Sequence, residues 1–380
     1  MKSRLFPSRT VVTNFGTSDG VDPVPYDIRY PYDETIWVLE VAASDEWVSC
    51  GLSNGDVNVY DQERLHLKRT YPKLHGDGCT MTDLTTSGAH LLTTSSANGQ
   101  ICIVDVRQPS PALTLTLPRR EEALSVSLGY DGLLAACGSN KSRVYFHDIR
   151  QNGSLLGTYQ DSHTDEVTRV RFQSAQSPLL LSASEDGLAC IFDTSQPSEE
   201  AALKSVLNVR TPLRKVGFFG PSLEGVYCLT GSETLSVWHH ESAQRICDFG
   251  ANIRDKLSTL AEGLAVDYLV DCRWDTTRQE LSLVAGNHDG DACKYRVDAG
   301  ALSLSHILVG GHRGDVRSWC PLTNSSIFVT AGEDARMCEW NRLGQQSATT
   351  AGGAGGVVRF PQTVGGPLRR PKKKTIVTPY

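Results

Sequence analysis

The chain has 380 residues, 39% of them hydrophobic and 21% charged, with 43 acidic against 37 basic side chains and a formal net charge of −6. That balance excludes a chain disordered throughout, and no run approaches the roughly 18 apolar residues needed to cross a bilayer as a helix. Residues 1–20 lack the apolar stretch of a secretion signal, which predicts an intracellular protein.

In chain order, the first predicted strand is the β-branched segment TVVTNF at residues 10–15, and seven similar units follow it. Each unit is a pair of short β-rich runs joined by a Gly, Asn or Asp turn and closed by an aromatic or apolar residue and a polar one. The units are VSCGLSNGDVNVYD ending at Asp61, LLTTSSANGQICIVD at Asp105, LAACGSNKSRVYFHD at Asp148, LLSASEDGLACIFD at Asp193, VYCLTGSETLSVWHH at His240, LSLVAGNHDGDACKYR at Arg296 and IFVTAGEDARMCEWN at Asn341. Successive ends lie 44, 43, 45, 47, 56 and 45 residues apart. Period-two runs at this spacing predict four-stranded blades and not helical repeats, which would show a 3.6-residue period. The 56-residue interval holds an insertion around ANIRDKLSTLAEGLAVDYLV, where Asp267 and Tyr268 offer a polar group and an aromatic anchor. An internal strand with an ordinary surface loop is the alternative there. After Asn341 come GQQSATTAGGAGG, a flexible linker, and LRRPKKKTIVTPY, in which Arg369, Arg370, Lys372, Lys373 and Lys374 place five cations in six residues.

On these residues, 36–341 resemble the WD-repeat family, most fully in the fourth and seventh units. The resemblance implies an all-β, seven-bladed propeller, spanning 1–343 and closed by the strand at 10–15, with 344–380 as linker and tail. It also implies a hydrogen-bonded tetrad made of a loop His, a Ser or Thr, a turn Asp and a Trp. His163, Ser182, Asp186 and Phe192 stand at these positions in the fourth unit, and His312, Thr330, Asp334 and Trp340 in the seventh. Phe192 cannot donate a hydrogen bond, so the fourth tetrad is cut short. With Val104, His147 and Tyr295 at the Trp position, other blades are expected to rely on apolar packing. Glu185 and Glu333, each just before the turn Asp, fall where the family places its docking face; Arg169, Arg171 and Arg317 would add positive charge wherever they face the channel mouth.

Chemistry has little support. His163 and His312 each have Asp residues nearby, but no nucleophile recurs at a fixed offset from both. NHDGD at 287–291 lacks the spacing and downstream Glu of a calcium loop, and no phosphate-cradling Gly loop is present. The eleven cysteines are scattered without a Cys-x-x-Cys pair; Cys102, Cys190, Cys293 and Cys338 are expected to pack on one face of their strands. No cofactor, metal, small-molecule substrate or membrane contact is implied. Removing the five tail cations from −6 leaves −11 on the rest. An acidic body disfavours nucleic acid and favours protein partners, basic ones among them. The expected function is therefore a non-catalytic scaffold, a single ring within a larger complex. An escort for a basic client such as a histone or ribosomal protein is a sharper alternative, and RNA binding or hydrolysis remain as others. The tail reads as a nuclear-import signal, with a phosphate-binding segment or a merely solubilising end as the alternatives, so nucleus and cytoplasm are both open to the chain.

Overall fold

The computed structural model describes residues 3–13, 36–322 and 326–341. The chain divides into two units, Met1–Gly344 and Gln345–Tyr380, and everything described lies in the first. Its strands form seven sheets, each built on four antiparallel strands, one of them with a fifth strand added in parallel. Five are continuous in sequence, at 38–71, 81–116, 123–159, 167–208 and 213–248, and a sixth adds the N-terminal Ser3–Leu5 to the strands at 268–308. The seventh takes Val316–Pro321, Ile327–Gly332 and Arg336–Asn341 from one end of the chain and Arg9–Val12 from the other. This is a seven-bladed propeller.

Strand patterning follows each strand's distance from the axis. The middle strands pack between two neighbouring blades and are largely buried on both faces, as in Leu179–Ser184 and Leu188–Asp193. Outer strands alternate buried with exposed residues, as in Leu203–Asn208. The seam where the ring closes is apolar too: Val38, Val41, Val48 and Cys50 of the first blade share a cluster with Val329, Ala331 and Met337 of the last.

The closing strand is Arg9–Val12, one residue earlier than the expected start. It pairs antiparallel with Arg336–Asn341, matching Arg9 to Glu339 and Val12 to Arg336. Thr13 has already left the ladder, donating both its amide N–H and its Oγ1 hydroxyl to the Ala335 carbonyl. Asn14 and Phe15 lie outside the described residues. A second N-terminal strand, Ser3–Leu5, runs parallel to Ala301–Leu308 as a fifth strand on the sixth blade. Three residues carry no readable alternation, yet Leu5 is only 1% exposed and packs with Val270, Trp319 and Trp340.

The insertion in the sixth unit holds a short helix, Ile253–Leu260, not expected from sequence, followed by a loop and the expected internal blade strand, Tyr268–Asp275. Ile253 and Leu257, four apart, share one helical face and are buried against the seam of the fifth and sixth blades. Tyr295 donates to the Leu257 carbonyl at 3.0 Å. A tight turn joins the middle strands of each blade and needs a positive φ. Gly187 supplies it in the fourth (φ 83°), where a Cβ would meet Thr211 N at 2.9 Å, while Ala335 adopts φ 58° in the seventh.

Candidate functional site: the propeller axis and its upper mouth

Because strands alternate in direction, inner-strand starts and the turns between second and third strands lie at one end of every blade. That end is called the upper face here. The tetrad groups meet there. His312 pairs through Nδ1 with Asp334 at 3.1 Å and through Nε2 with Thr330 Oγ1 at 2.7 Å, and Trp340 Nε1 donates to the same hydroxyl at 2.8 Å. In the fourth blade His163 reaches Asp186 at 3.1 Å and Ser182 at 2.7 Å, and Phe192 ends the chain of bonds by packing 4.9 Å from the Tyr159 ring.

The second blade has a comparable arrangement that sequence reading missed. His75 Nε2 pairs with Thr94 Oγ1 at 2.8 Å, and Asn98, at the turn Asp position, donates to the His75 carbonyl at 2.8 Å. Spacing was the available signal: His75 precedes Val104 by 29 residues, as His163 precedes Phe192. Nor do the other blades rely on apolar packing alone. Trp238 Nε1 donates to Ser236 at 2.9 Å, Tyr295 to Leu257 as above, and His147 Nδ1 pairs with the Gly153 carbonyl at 2.9 Å.

The two histidines differ electrostatically. Burial opposes charge on His312, yet the adjoining Cys338 and the Asp334 carboxylate hold its pKa up, to about 10. Burial with no carboxylate partner pushes His75 down, to about 4. Raised above the ordinary 6.5, His312 contributes stability that is complete below that value and lost as pH rises toward 10. His75, depressed, contributes stability present above 6.5 and lost as pH falls through 4. Asp334→Ala should therefore cost roughly 1–3 kcal/mol at neutral pH and flatten the alkaline loss of stability. Chemical denaturation at pH 7 and pH 9.5 measures both, and a variant that matches the parent at pH 7 contradicts this account.

Every inner strand carries a bulge, and the residue after it faces the axis: Glu40, Asp83, Ser125, Arg169, Lys215, Asp271 and Ser318. Some latch neighbouring blades. Asp83 accepts from Val126 N at 3.1 Å, Ser125 from Val170 N at 3.1 Å and Ser318 from Val41 N at 3.1 Å. Others span the ring. Glu40, in the first blade, takes the Lys215 ammonium, Arg273 Nη2 at 3.2 Å and the Ser318 hydroxyl at 2.5 Å, with Arg169 at 3.9 Å. Asp83 is gripped by both Arg171 terminal nitrogens, at 2.7 and 3.0 Å. Burial works against both carboxylates, but these cations hold Glu40 and Asp83 below the ordinary range. Arg169 and Arg171, considered from sequence as partner-binding groups at the mouth, are thus part of a network that spans the ring at its axis.

The upper mouth holds the rest. Arg317 bonds Glu333 through Nε at 2.8 Å and lies 5.8 Å from the ring of Trp37, which is 38% exposed. Glu185 is exposed; beside it, burial and then the charges of Glu185, Asp165 and Glu122 raise the Glu166 pKa. Tyr268 joins the sixth and seventh blades, its oxygen accepting Val316 N–H at 2.7 Å and its hydroxyl reaching the Asn287 carbonyl at 3.4 Å, while Asp267 accepts from His288 N at 3.1 Å within the sixth. Tyr268 is therefore a bracket between blades and not a free anchor. All eleven cysteines are unpaired, and Cys102, Cys190, Cys293 and Cys338 are fully buried. Among the described residues no three His, Cys, Asp or Glu side chains are grouped to hold a metal. Arg369, Arg370, Lys372, Lys373 and Lys374 lie outside the described residues.

A family model described as "WD domain, G-beta repeat" matches residues 153–193, within the third and fourth blades. WD repeat-containing protein GTS1 of Arabidopsis thaliana is 30% identical over 80% of this chain and 81% of its own length. The chain belongs to the WD-repeat family. The WD repeat-containing protein 89 homolog of Dictyostelium discoideum is 25% identical over 81% of this chain and 83% of its own. A chain of the crystal structure of the mitotic checkpoint complex superposes with a TM-score of 0.65, covering 88% of this chain and 95% of that one, at 17% identity, a likeness of fold alone. In WD-repeat terms, the fourth and seventh blades are the regular ones, and the second keeps the His and Thr while replacing the turn Asp and the Trp.

Proposed function

We propose that this WD-repeat propeller is a non-catalytic scaffold that holds a protein partner on its upper face around the channel mouth. One observation supports this most: the tetrad groups are bonded internally, whereas Trp37, Arg317 and the Glu166–Glu185 patch combine exposed aromatic area with charge at one mouth. Aromatic and Arg anchors carry much of the energy of protein interfaces. The acidic patch and the −11 left outside the tail favour a basic partner, in keeping with an escort for a basic client. We assign the five tail cations the separate role of nuclear import, since they follow a Gly-rich linker.

One experiment with two variants tests both roles. Glu166→Lys with Glu185→Lys should reduce co-purifying proteins at least tenfold while the chain stays nuclear. Alanine at Arg369, Arg370, Lys372, Lys373 and Lys374 should send a fluorescent copy to the cytoplasm with thermal unfolding unchanged. Full partner recovery by the first variant sinks the upper-face assignment, and a nuclear second variant sinks the import role.

A further inference from the structure

The charges at the axis do not balance. Four cations, Arg169, Arg171, Lys215 and Arg273, face three carboxylates, Glu40, Asp83 and Asp271, an excess of one positive charge. A net charge in a largely buried site is costly unless a counter-charge offsets it. The excess lies on particular groups. Arg169 comes no closer than 3.9 Å to either Glu40 or Asp83, and its Nε is buried with no hydrogen-bond acceptor among the described residues, while Arg273 Nε lies 3.2 Å from Asp271 Oδ2.

The same place is lined by small side chains and a neutral donor. Arg171 and Arg273 stand two residues beyond the axial ring, toward the lower end of their strands. The other five positions of that tier hold only Ala42, Thr85, Ser127, Gly217 and Cys320. Gly217 has a specific effect: a Cβ there would lie 2.7 Å from the Tyr227 hydroxyl, so its absence lets that hydroxyl reach Asp271 at 3.5 Å. The tier opens from below, since the Arg273 and Arg171 side chains are 29% and 18% exposed, against 5% for Glu40.

We propose that the lower half of the channel binds one small oxyanion, of phosphate or carboxylate chemistry, between Arg273 and Arg169, with Arg171 and the Tyr227 hydroxyl at its edge. Guanidinium groups suit such ligands because their planar N–H forks match paired oxygens. The site is independent of docking on the upper face. It offsets the excess charge and stiffens the centre of the ring.

The test is calorimetric titration of the full chain with sodium phosphate and, separately, sodium acetate, at ionic strength held constant with sodium chloride. Saturable binding of one anion per chain is expected. Phosphate alone identifies a tetrahedral ligand, acetate alone a planar carboxylate, and binding of both a site for either. Arg273→Gln leaves three cations against three carboxylates and should weaken binding at least tenfold. Tyr227→Phe changes no charge and should weaken it about threefold, which keeps the test readable if the first variant fails to fold. No saturable binding of either anion, or unchanged affinity in the variants that fold, overturns the proposal.

Discussion

Deleting residues 1–13 should lower the thermal unfolding midpoint by more than about 10 °C, because the segment ties two blades together at the point where the ring closes. Losing Arg9–Val12 strips the outer strand from the seventh blade and bares the edge of Arg336–Asn341, which is then open to aggregation. Losing Ser3–Leu5 removes Leu5 from beside Trp319 and Trp340, and deleting one buried leucine side chain costs about 2–5 kcal/mol. In a domain of this size each kcal/mol moves the midpoint by roughly 2–4 °C. Circular dichroism melts of the truncated and full chains check the loss, and adding the 13-residue segment back as a peptide should recover part of it. A truncated chain that melts with the parent shows that the seventh blade closes by other means.

Glu40→Ala should be the most damaging single substitution at the axis, at about 3–5 kcal/mol. The glutamate has no equal in the ring, since it faces Lys215, Arg273 and Arg169 and accepts from Ser318, so its loss leaves three cations around a buried space. Glu40→Gln retains an acceptor without the charge and should fall between the two. Adding Lys215→Met to Glu40→Ala should restore part of the stability by removing one orphaned charge, a coupling that additive effects would not produce. Exposed Glu185→Ala serves as the control and should stay within about 0.5 kcal/mol of the parent. Urea denaturation of the set measures this directly. If Glu40→Ala matches Glu185→Ala, the axial network contributes nothing to holding the ring.

The residues of this network were legible singly but not as a group. Aligning the inner strands as VLEV, MTDL, ALSV, VTRV, LRKV, LVDC and VRSW brings Glu40, Asp83, Ser125, Arg169, Lys215, Asp271 and Ser318 into one column. That column shows seven polar residues, each followed by an apolar one. It does not show that Glu40 meets Lys215 175 residues away and Arg273 233 away, while Asp83 takes Arg171 at 88. Those pairings depend on which blades stand opposite each other across a closed circle.

By itself, the sequence determined the number and length of the units, because a four-stranded blade is a local object whose turns and β-rich runs recur within about 45 residues. Its resemblance to WD repeats also implied the pairing of His163 with Asp186 and of His312 with Asp334, contacts that form within one unit. Tertiary structure alone decided the rest. Ser3–Leu5 became a strand by finding the edge of Ala301–Leu308, the insertion at Ile253–Leu260 became a helix by burying one face between two blades, and Tyr268 became a bracket because Val316 N–H lies above it. Arg169 and Arg171 turned from candidate anchors into parts of the channel for the same reason. A side chain's partner across the ring is set by closure, which joins residues that no local pattern relates.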